Sequence, residues 1–186
     1  MNLIKSAFIL SLLTIGNTQA AFVDAYDLAN WTKTIDGGSI DTISTPNSVV
    51  LTSSNDFSNE NKNQDFTITA MQDGIVSFAW SYESTDLSAK YDPYGWLING
   101  AFIQLTNDFD GFDSRIQSGV FSYQLFAGNV FGFRANSTDS YFGAATTTIS
   151  NFNVSTPVLN VLNQLPLPAA FWLIIAPLMC MVRKKR

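Results

Sequence analysis

Fifteen acidic side chains and no histidine set the chemistry open to this chain of 186 residues. The densest set of candidate ligands is Asn107-Asp108-Phe109-Asp110-Gly111-Phe112-Asp113, three carboxylates in one glycine-containing loop. A hard cation such as Ca²⁺ takes about six to eight oxygens, and Asp108, Asp110 and Asp113 supply several of them. The spacing is not that of an EF-hand, because its fifth position would fall on Phe112 and no Glu closes the loop. A solvated turn is the plainer reading, and the sequence leaves both open. A second set, Glu83, Asp86 and Asp92, lies in a polar stretch flanked by Tyr91 and Tyr94. Two carboxylates beside a sugar-stacking aromatic are the minimum parts of a glycosidase, although sequence does not give their separation. Tyr91, Phe109, Phe112, Tyr141 and Phe142 fall in loops and are candidates for stacking on sugar rings. Capping the domain is the plainer role for any single one of them. A cluster at one end would favour the sugar.

What is missing narrows the field further. The only cysteine, Cys180, sits in an apolar run near the C-terminus. The remainder therefore has no disulfide, no Ser-His-Asp triad, no cysteine nucleophile and no His/Cys zinc site. Between residues 21 and 164 the cations are Lys33, Lys62, Lys90, Arg115 and Arg134, against all fifteen acids, a formal charge of −10. Such a surface repels phosphate and argues against a nucleic-acid partner. Asn30, Asn136 and Asn153 each begin an N-glycosylation pattern, read here as chance matches.

The elements that must position these residues read as short strands. Phe22–Leu28, Trp31–Ile35, Ser39–Ile43 and Val49–Thr52 are short alternating pieces, and 53–64 is a polar, Asn-rich loop. Phe66–Ala70 alternates, and in Ile75–Tyr82 the residues Val76, Phe78, Trp80 and Tyr82 share one face. Tyr94–Leu105 is a hairpin around Asn99-Gly100, the dipeptide favoured where both central φ values are positive. That register pairs Trp96 with Ile103 and turns both inward, with Ile98, Phe78 and Trp80 in the same core. Leu97 and Phe102 fall on the opposite face. Further strands follow at Gly119–Phe126, Val130–Arg134 and Ala145–Val154. About nine or ten short strands with frequent turns predict an all-β fold, an antiparallel jelly-roll-like β-sandwich.

The termini address this domain. Lys5, the apolar stretch Ala7–Ile15 and Thr18-Gln19-Ala20 read as a signal peptide, cleaved between Ala20 and Ala21. The organisation is then a leader over 1–20, the sandwich over 21–154, a linker over 155–164 and a sorting tail over 165–186. In that tail Leu165-Pro166-Leu167-Pro168-Ala169 opens an uncharged run extending to Val182, closed by Arg183, Lys184, Lys185 and Arg186. As a helix the run spans ~27 Å, about a thin bilayer core, and the terminal cations would stay on the cytoplasmic side.

A short Pro motif, one transmembrane helix and a terminal basic cluster resemble the PEP-CTERM sorting signals of Gram-negative bacteria. The chain is similar to the VPLPA-CTERM variant at four of five motif positions, with Leu165 in place of Val; Pro177 and Cys180 stand where such signals often carry Gly. The resemblance implies recognition by an exosortase, a membrane-embedded processing enzyme often linked to exopolysaccharide export. The domain itself resembles the small exported sandwiches that precede such tails, in Asp92-Pro93-Tyr94-Gly95, Gln104-Leu105-Thr106, Gln117-Ser118-Gly119, Phe131-Gly132-Phe133 and Ile149-Ser150-Asn151-Phe152. These are strand and turn residues and imply a fold, not an active site.

The expectation is thus an exported envelope or matrix protein without catalytic residues. Its cofactor is none unless Ca²⁺ occupies the loop at 107–114. Its partners are an exosortase-like enzyme, the membrane and, as a candidate ligand, exopolysaccharide. It would sit in the inner membrane with the domain on the periplasmic side, then at the cell surface after processing. Two alternatives remain, a plain single-pass periplasmic anchor and a carboxylate-based glycan hydrolase.

Overall fold

The computed structural model describes residues 22–108 and 112–155, without the side chains of Phe112 and Asp113. The leader with its Ala20–Ala21 junction, the tail from Leu165 to Arg186 and Asp110 lie outside the described residues. Ten strands are present: β1 (Thr32–Thr34), β2 (Ser39–Asp41), β3 (Ser48–Thr52), β4 (Lys62–Thr69), β5 (Gly74–Ser84), β6 (Tyr94–Ile98), β7 (Ala101–Gln104), β8 (Ile116–Leu125), β9 (Val130–Ser137) and β10 (Ala145–Ser155). They form two five-stranded antiparallel sheets, in the orders β1-β4-β9-β6-β7 and β2-β3-β10-β5-β8. The all-β sandwich expected from the alternation is therefore present. Among the described residues no helix is long and apolar enough to cross a membrane.

Only β2–β3 and β6–β7 are joined within one sheet; every other connection crosses from one sheet to the other. The strand directions collect the loops at two poles. The first pole carries the loops β3–β4, β5–β6, β7–β8 and β9–β10, and the second carries β4–β5, β6–β7 and β8–β9.

Aromatic rings fill the space between the sheets. Trp31 stacks on Phe66 at 4.3 Å, and Phe22 stacks on Phe152 at 4.8 Å. Trp96 on β6 stacks on Phe78 of β5 at 5.5 Å, across the two sheets. Phe133 joins these groups, 5.8 Å from Trp31 and 4.9 Å from Phe78. Offset and edge-to-face arrangements of this kind add about 0.5–1.5 kcal/mol per pair beyond simple burial.

The hairpin has its expected register, Trp96 opposite Ile103, with Asn99 and Gly100 at φ 49° and 84°. Trp96, Phe78 and Trp80 are buried and Ile98 is partly so, but Ile103 is 36% exposed. It lies on the inward face of β7, and β7 is the edge of its sheet, so nothing opposite covers it fully. On the outer face Leu97 is buried and Phe102 half-buried. A Cβ at Gly95 would stand 2.7 Å from the Phe102 ring and 2.2 Å from the Ile103 carbonyl oxygen, so only glycine lets the ring lie down. The Arg134 guanidinium lies 5.9 Å from the centre of that ring and makes two 2.6 Å bonds to Asp65 on the adjacent strand.

Three local readings change. Phe22–Leu28 is not a strand but two single turns of 3-10 helix, Asp24–Tyr26 and Leu28–Asn30. The Asp27 carboxylate accepts from the Ala29 amide at 2.9 Å, and these turns tuck Phe22 and Tyr26 into the core. β4 begins at Lys62, inside the stretch read as loop. β10 carries one extra residue between Ser150 and Asn153, a bulge with Asn151 at φ 51° that turns Phe152 inward. At the opposite edge from β2 lies β8, ten residues without a charge or a proline. Its Ile116 and Val120 are exposed on the outer face.

Candidate aromatic site at the first pole

Two loops of the first pole present aromatic side chains side by side. In the β3–β4 loop Phe57 is 65% exposed; in the β9–β10 loop Phe142 is 70% exposed. Tyr141 stands between them, edge-on to Phe57 at 5.3 Å and to Phe142 at 4.4 Å. Phe57, Asn59, Ser140 and Phe142 all have positive φ, between 53° and 62°. For a bulky residue without a compensating hydrogen bond of its own, that region is costly and persists only where the surroundings impose it.

Here the surroundings are hydrogen bonds between the loops. The Phe57 amide donates to the Ser140 carbonyl at 2.9 Å, and Ser140 Oγ donates to the Glu60 carbonyl at 2.8 Å. Ser140 N donates to Ser137 Oγ at 2.9 Å, and the Tyr141 amide to Asp139 Oδ1 at 3.1 Å. Beneath them Asn136 Nδ2 donates to Asn61 Oδ1, Asn63 Oδ1 and the Lys62 carbonyl at 2.9–3.1 Å. Large apolar rings held out into solvent on a braced backbone are the arrangement expected of a contact surface.

Acidic residues share these loops, Asp56 and Glu60 with Phe57 and Asp139 with Tyr141 and Phe142. Lys62 Nζ lies 2.5 Å from Asp56, 3.8 Å from Glu60 and 3.9 Å from Asp36. Its hydrogen bond, with a second from Ser58, pulls the Asp56 carboxyl down to about 2. The same bond raises Lys62 above its ordinary value.

Two carboxylates lie deeper at this pole. Asp92 is 1% exposed, with Oδ1 accepting from Ser53 Oγ at 2.8 Å and Oδ2 from Ser84 Oγ at 3.4 Å. Its carbonyl accepts from the Tyr82 hydroxyl at 3.0 Å. Burial, which the serine hydroxyls only partly offset, pushes this carboxyl up to about 7. Asp86 is also buried, and burial raises its carboxyl too. One of its oxygens accepts from the Leu87 amide, while Oδ2 has no partner among the described residues. Ser84 Oγ links the two residues by also accepting from the Asp86 amide at 3.0 Å.

The sequence-derived candidates separate accordingly. Glu83 faces solvent on the outer side of β5, whereas Asp92 is enclosed between the sheets, so Glu83, Asp86 and Asp92 do not converge on an open cleft. Of the calcium candidates, Asp108 accepts from the Gln104 amide; Asp110 and the Asp113 side chain lie outside the described residues. Among the described residues no group of three or more acidic, His or Cys side chains is placed to hold a metal ion. Tyr141 and Phe142 do come together. Tyr91 belongs to the same pole, with Lys90 5.1 Å above its ring and its carbonyl bonded by Thr138. Phe109 and the Phe112 side chain are not described. Phe57 was not among the candidates. Its signal was a lone aromatic in the polar run Ser53-Ser54-Asn55-Asp56-Phe57-Ser58-Asn59.

On the outer face of the second sheet, an open hollow of about 340 Å³ is lined by Ser81, Glu83, Ser118, Thr146 and Thr148 among others. A smaller one adjoins it through Glu83 and Ile116 and reaches Thr85, whose hydroxyl accepts from the Ala144 amide two residues after Phe142.

No family model matches this chain, and no curated protein matches it. Among solved structures it is similar to the secreted serine protease VesC from Vibrio cholerae, at 13% identity and TM-score 0.42, over 69% of this chain and 25% of that one. It is also similar to a family 35 carbohydrate-binding module from Clostridium thermocellum, at 14% identity and TM-score 0.36, over 66% and 92% of the two chains. The same module type from Cellvibrio japonicus Abf62 gives 14%, TM-score 0.37, and coverage of 67% and 92%. The chain spans a quarter of the protease.

Proposed function

We propose that this chain is an exported, non-catalytic sandwich protein that contacts polysaccharide at its first pole and is sorted through its VPLPA-CTERM-like tail. The observation that carries the contact is the braced cluster of Phe57, Tyr141 and Phe142, two of whose rings lie mostly in solvent. Planar apolar rings of this kind match the flat C–H faces of pyranose sugars and lose little conformational freedom on binding. The strand order supports a jelly-roll-like arrangement. Leaving out β1 and β2, the neighbours β3-β10-β5-β8 and β4-β9-β6-β7 form two four-stranded sheets linked by repeated crossovers.

Binding of the protein to a panel of neutral and charged oligosaccharides, followed by calorimetry, tests the contact. Phe57→Ala and Phe142→Ala are each expected to weaken it by roughly tenfold or more, the effect of removing a central aromatic anchor. Both side chains are exposed, so the melting temperature should change little. Unaltered affinity in both variants would exclude this surface.

Sorting rests on the three-part tail, Leu165–Ala169, the apolar run and Arg183–Arg186. We expect a mature form cut near Pro166–Ala169 in a host with the matching exosortase, and protein retained in the inner membrane without it. Intact mass of membrane and extracellular fractions checks this. Protein ending only at Arg186 in the native host would leave the plain anchor. A calcium ion at Asp108, Asp110 and Asp113 stays a proposal on loop composition alone, and no step of the present reading requires it.

A further inference from the structure

The aromatic rings of the first pole share their loops with acidic residues, and those acids bear on which saccharide the rings take. Asp56 precedes Phe57, the Glu60 carbonyl is bonded by Ser140, and the Asp139 carboxylate holds the Tyr141 amide. Three carboxylates, those of Asp36, Asp56 and Glu60, share the single ammonium of Lys62, which leaves two negative charges beside Phe57. Solvent meets the acids rather than the base: the Glu60 side chain is 70% exposed and that of Lys62 is 13% exposed. The other cations of this pole are Lys90, set against the Tyr91 ring, and Arg115.

A saccharide stacked on Phe57 and Tyr141 therefore places its substituents among carboxylates. Uronic acid or sulfate groups would be repelled, and among the described residues no uncommitted ammonium adjoins Phe57 to receive them. A neutral sugar would gain the ring contact alone. A sugar bearing protonated amines would gain the ring contact and also offset the unbalanced charge. We propose that the ligand of this site is a glycan with free amino groups, such as a partly or fully deacetylated amino-sugar polymer. The inference rests on the polysaccharide reading above and adds the ligand's charge class to it.

Hexamers of glucosamine and of N-acetylglucosamine share one backbone and differ in charge, and oligogalacturonate supplies the opposite sign. The full chain, solubilised in a neutral detergent, would be titrated with each at about pH 6. There the sugar amines are protonated while Asp56, held down to about 2, stays ionised. The glucosamine hexamer should bind roughly tenfold tighter than the acetylated one, from two or three exposed charge contacts together. Oligogalacturonate should bind weakest. The gap between the hexamers should close at about 0.5 M salt, where charges on a surface are screened within a few ångströms. Glu60→Gln combined with Asp36→Asn should narrow the gap at low salt. Equal affinity for the two hexamers, or preference for oligogalacturonate, with either dependent on Phe57, overturns the charge class and leaves the polysaccharide site standing. Failure of every saccharide to bind overturns both.

Discussion

Replacing Trp96 by Ala is expected to lower the unfolding free energy by about 3–5 kcal/mol, through lost transfer energy and the cavity left behind. The side chain is fully buried and its ring centroid lies 5.3–6.2 Å from those of Phe78, Phe121, Tyr123, Phe131 and Phe133. These rings come from three other strands, β5, β8 and β9, and from both sheets, so a neighbour cannot refill the space without disturbing the rest. A domain of this size is stable by only about 5–15 kcal/mol, and the variant would lose a large share of that. Trp96→Phe should cost much less. The indole Nε1 finds no hydrogen-bond partner among the described residues, so replacement also removes a buried, unsatisfied donor. Urea unfolding of the domain over residues 21–155 measures both. A cost under about 1 kcal/mol for Trp96→Ala would mean that the sheets do not meet at this ring.

The second large effect is on the pH dependence of stability, through Asp92. In the folded chain its carboxyl is pushed up to about 7 by burial. In the unfolded chain it should titrate near the ordinary ~4. Between these values the folded state keeps a proton that the unfolded state has released, so stability falls as pH rises through the window. The contribution is fully present below about pH 4 and lost above about pH 7. At ~1.4 kcal/mol per pH unit over roughly three units it reaches at most ~4 kcal/mol. Asp86, raised for the same reason, acts in the same direction. Asp56 acts oppositely, but its carboxyl is held down to about 2, so its contribution is lost only at the acid end, below this window. The melting temperature should therefore be higher at pH 5 than at pH 8. Asp92→Asn can still accept from Ser53 and can donate to Ser84, so it should flatten the profile and raise stability at pH 8. A wild-type profile flat across this range, or a slope that survives in Asp92→Asn, contradicts the assignment.

Asp92 also shows where sequence reasoning stops. Beside Glu83 and Asp86 in a polar stretch it read as one of a candidate set of glycosidase carboxylates. The hydroxyls that enclose it sit at strand ends far apart in the chain, Ser53 after β3 and Ser84 closing β5, and only the sandwich brings them together. The same limit applies to Ile103. Alternation gave its face correctly but not what lies opposite, and an edge strand has too little opposite it. The hairpin was legible because turn chemistry and alternation agree over Tyr94–Leu105. The turns at Asp24–Asn30 were not, because their apolar spacing mimics a short strand while local capping by Asp27 decides the backbone. The aromatic site was half legible. Tyr141 and Phe142 were marked by type, but Phe57, 84 residues away in sequence, joins them only through the loop-to-loop bond to Ser140.

The bare edge at β8 has a consequence for how copies of this protein treat one another. Among the described residues β8 pairs only with β5, so its far side offers a row of amide and carbonyl groups. Natural sheets usually blunt such an edge with lysine, proline or a bulge. This one has no Lys and no Pro, and its pairing with β5 is unbroken from Gly74 to Glu83. What keeps two edges apart is set at longer range, by the −10 that each domain carries over residues 21–164. That repulsion reaches ~10 Å at 0.1 M salt and ~3 Å at 1 M. Colloidal behaviour is thereby tied to the ionic medium: dilute salt keeps the molecules dispersed, and brine lets strand meet strand.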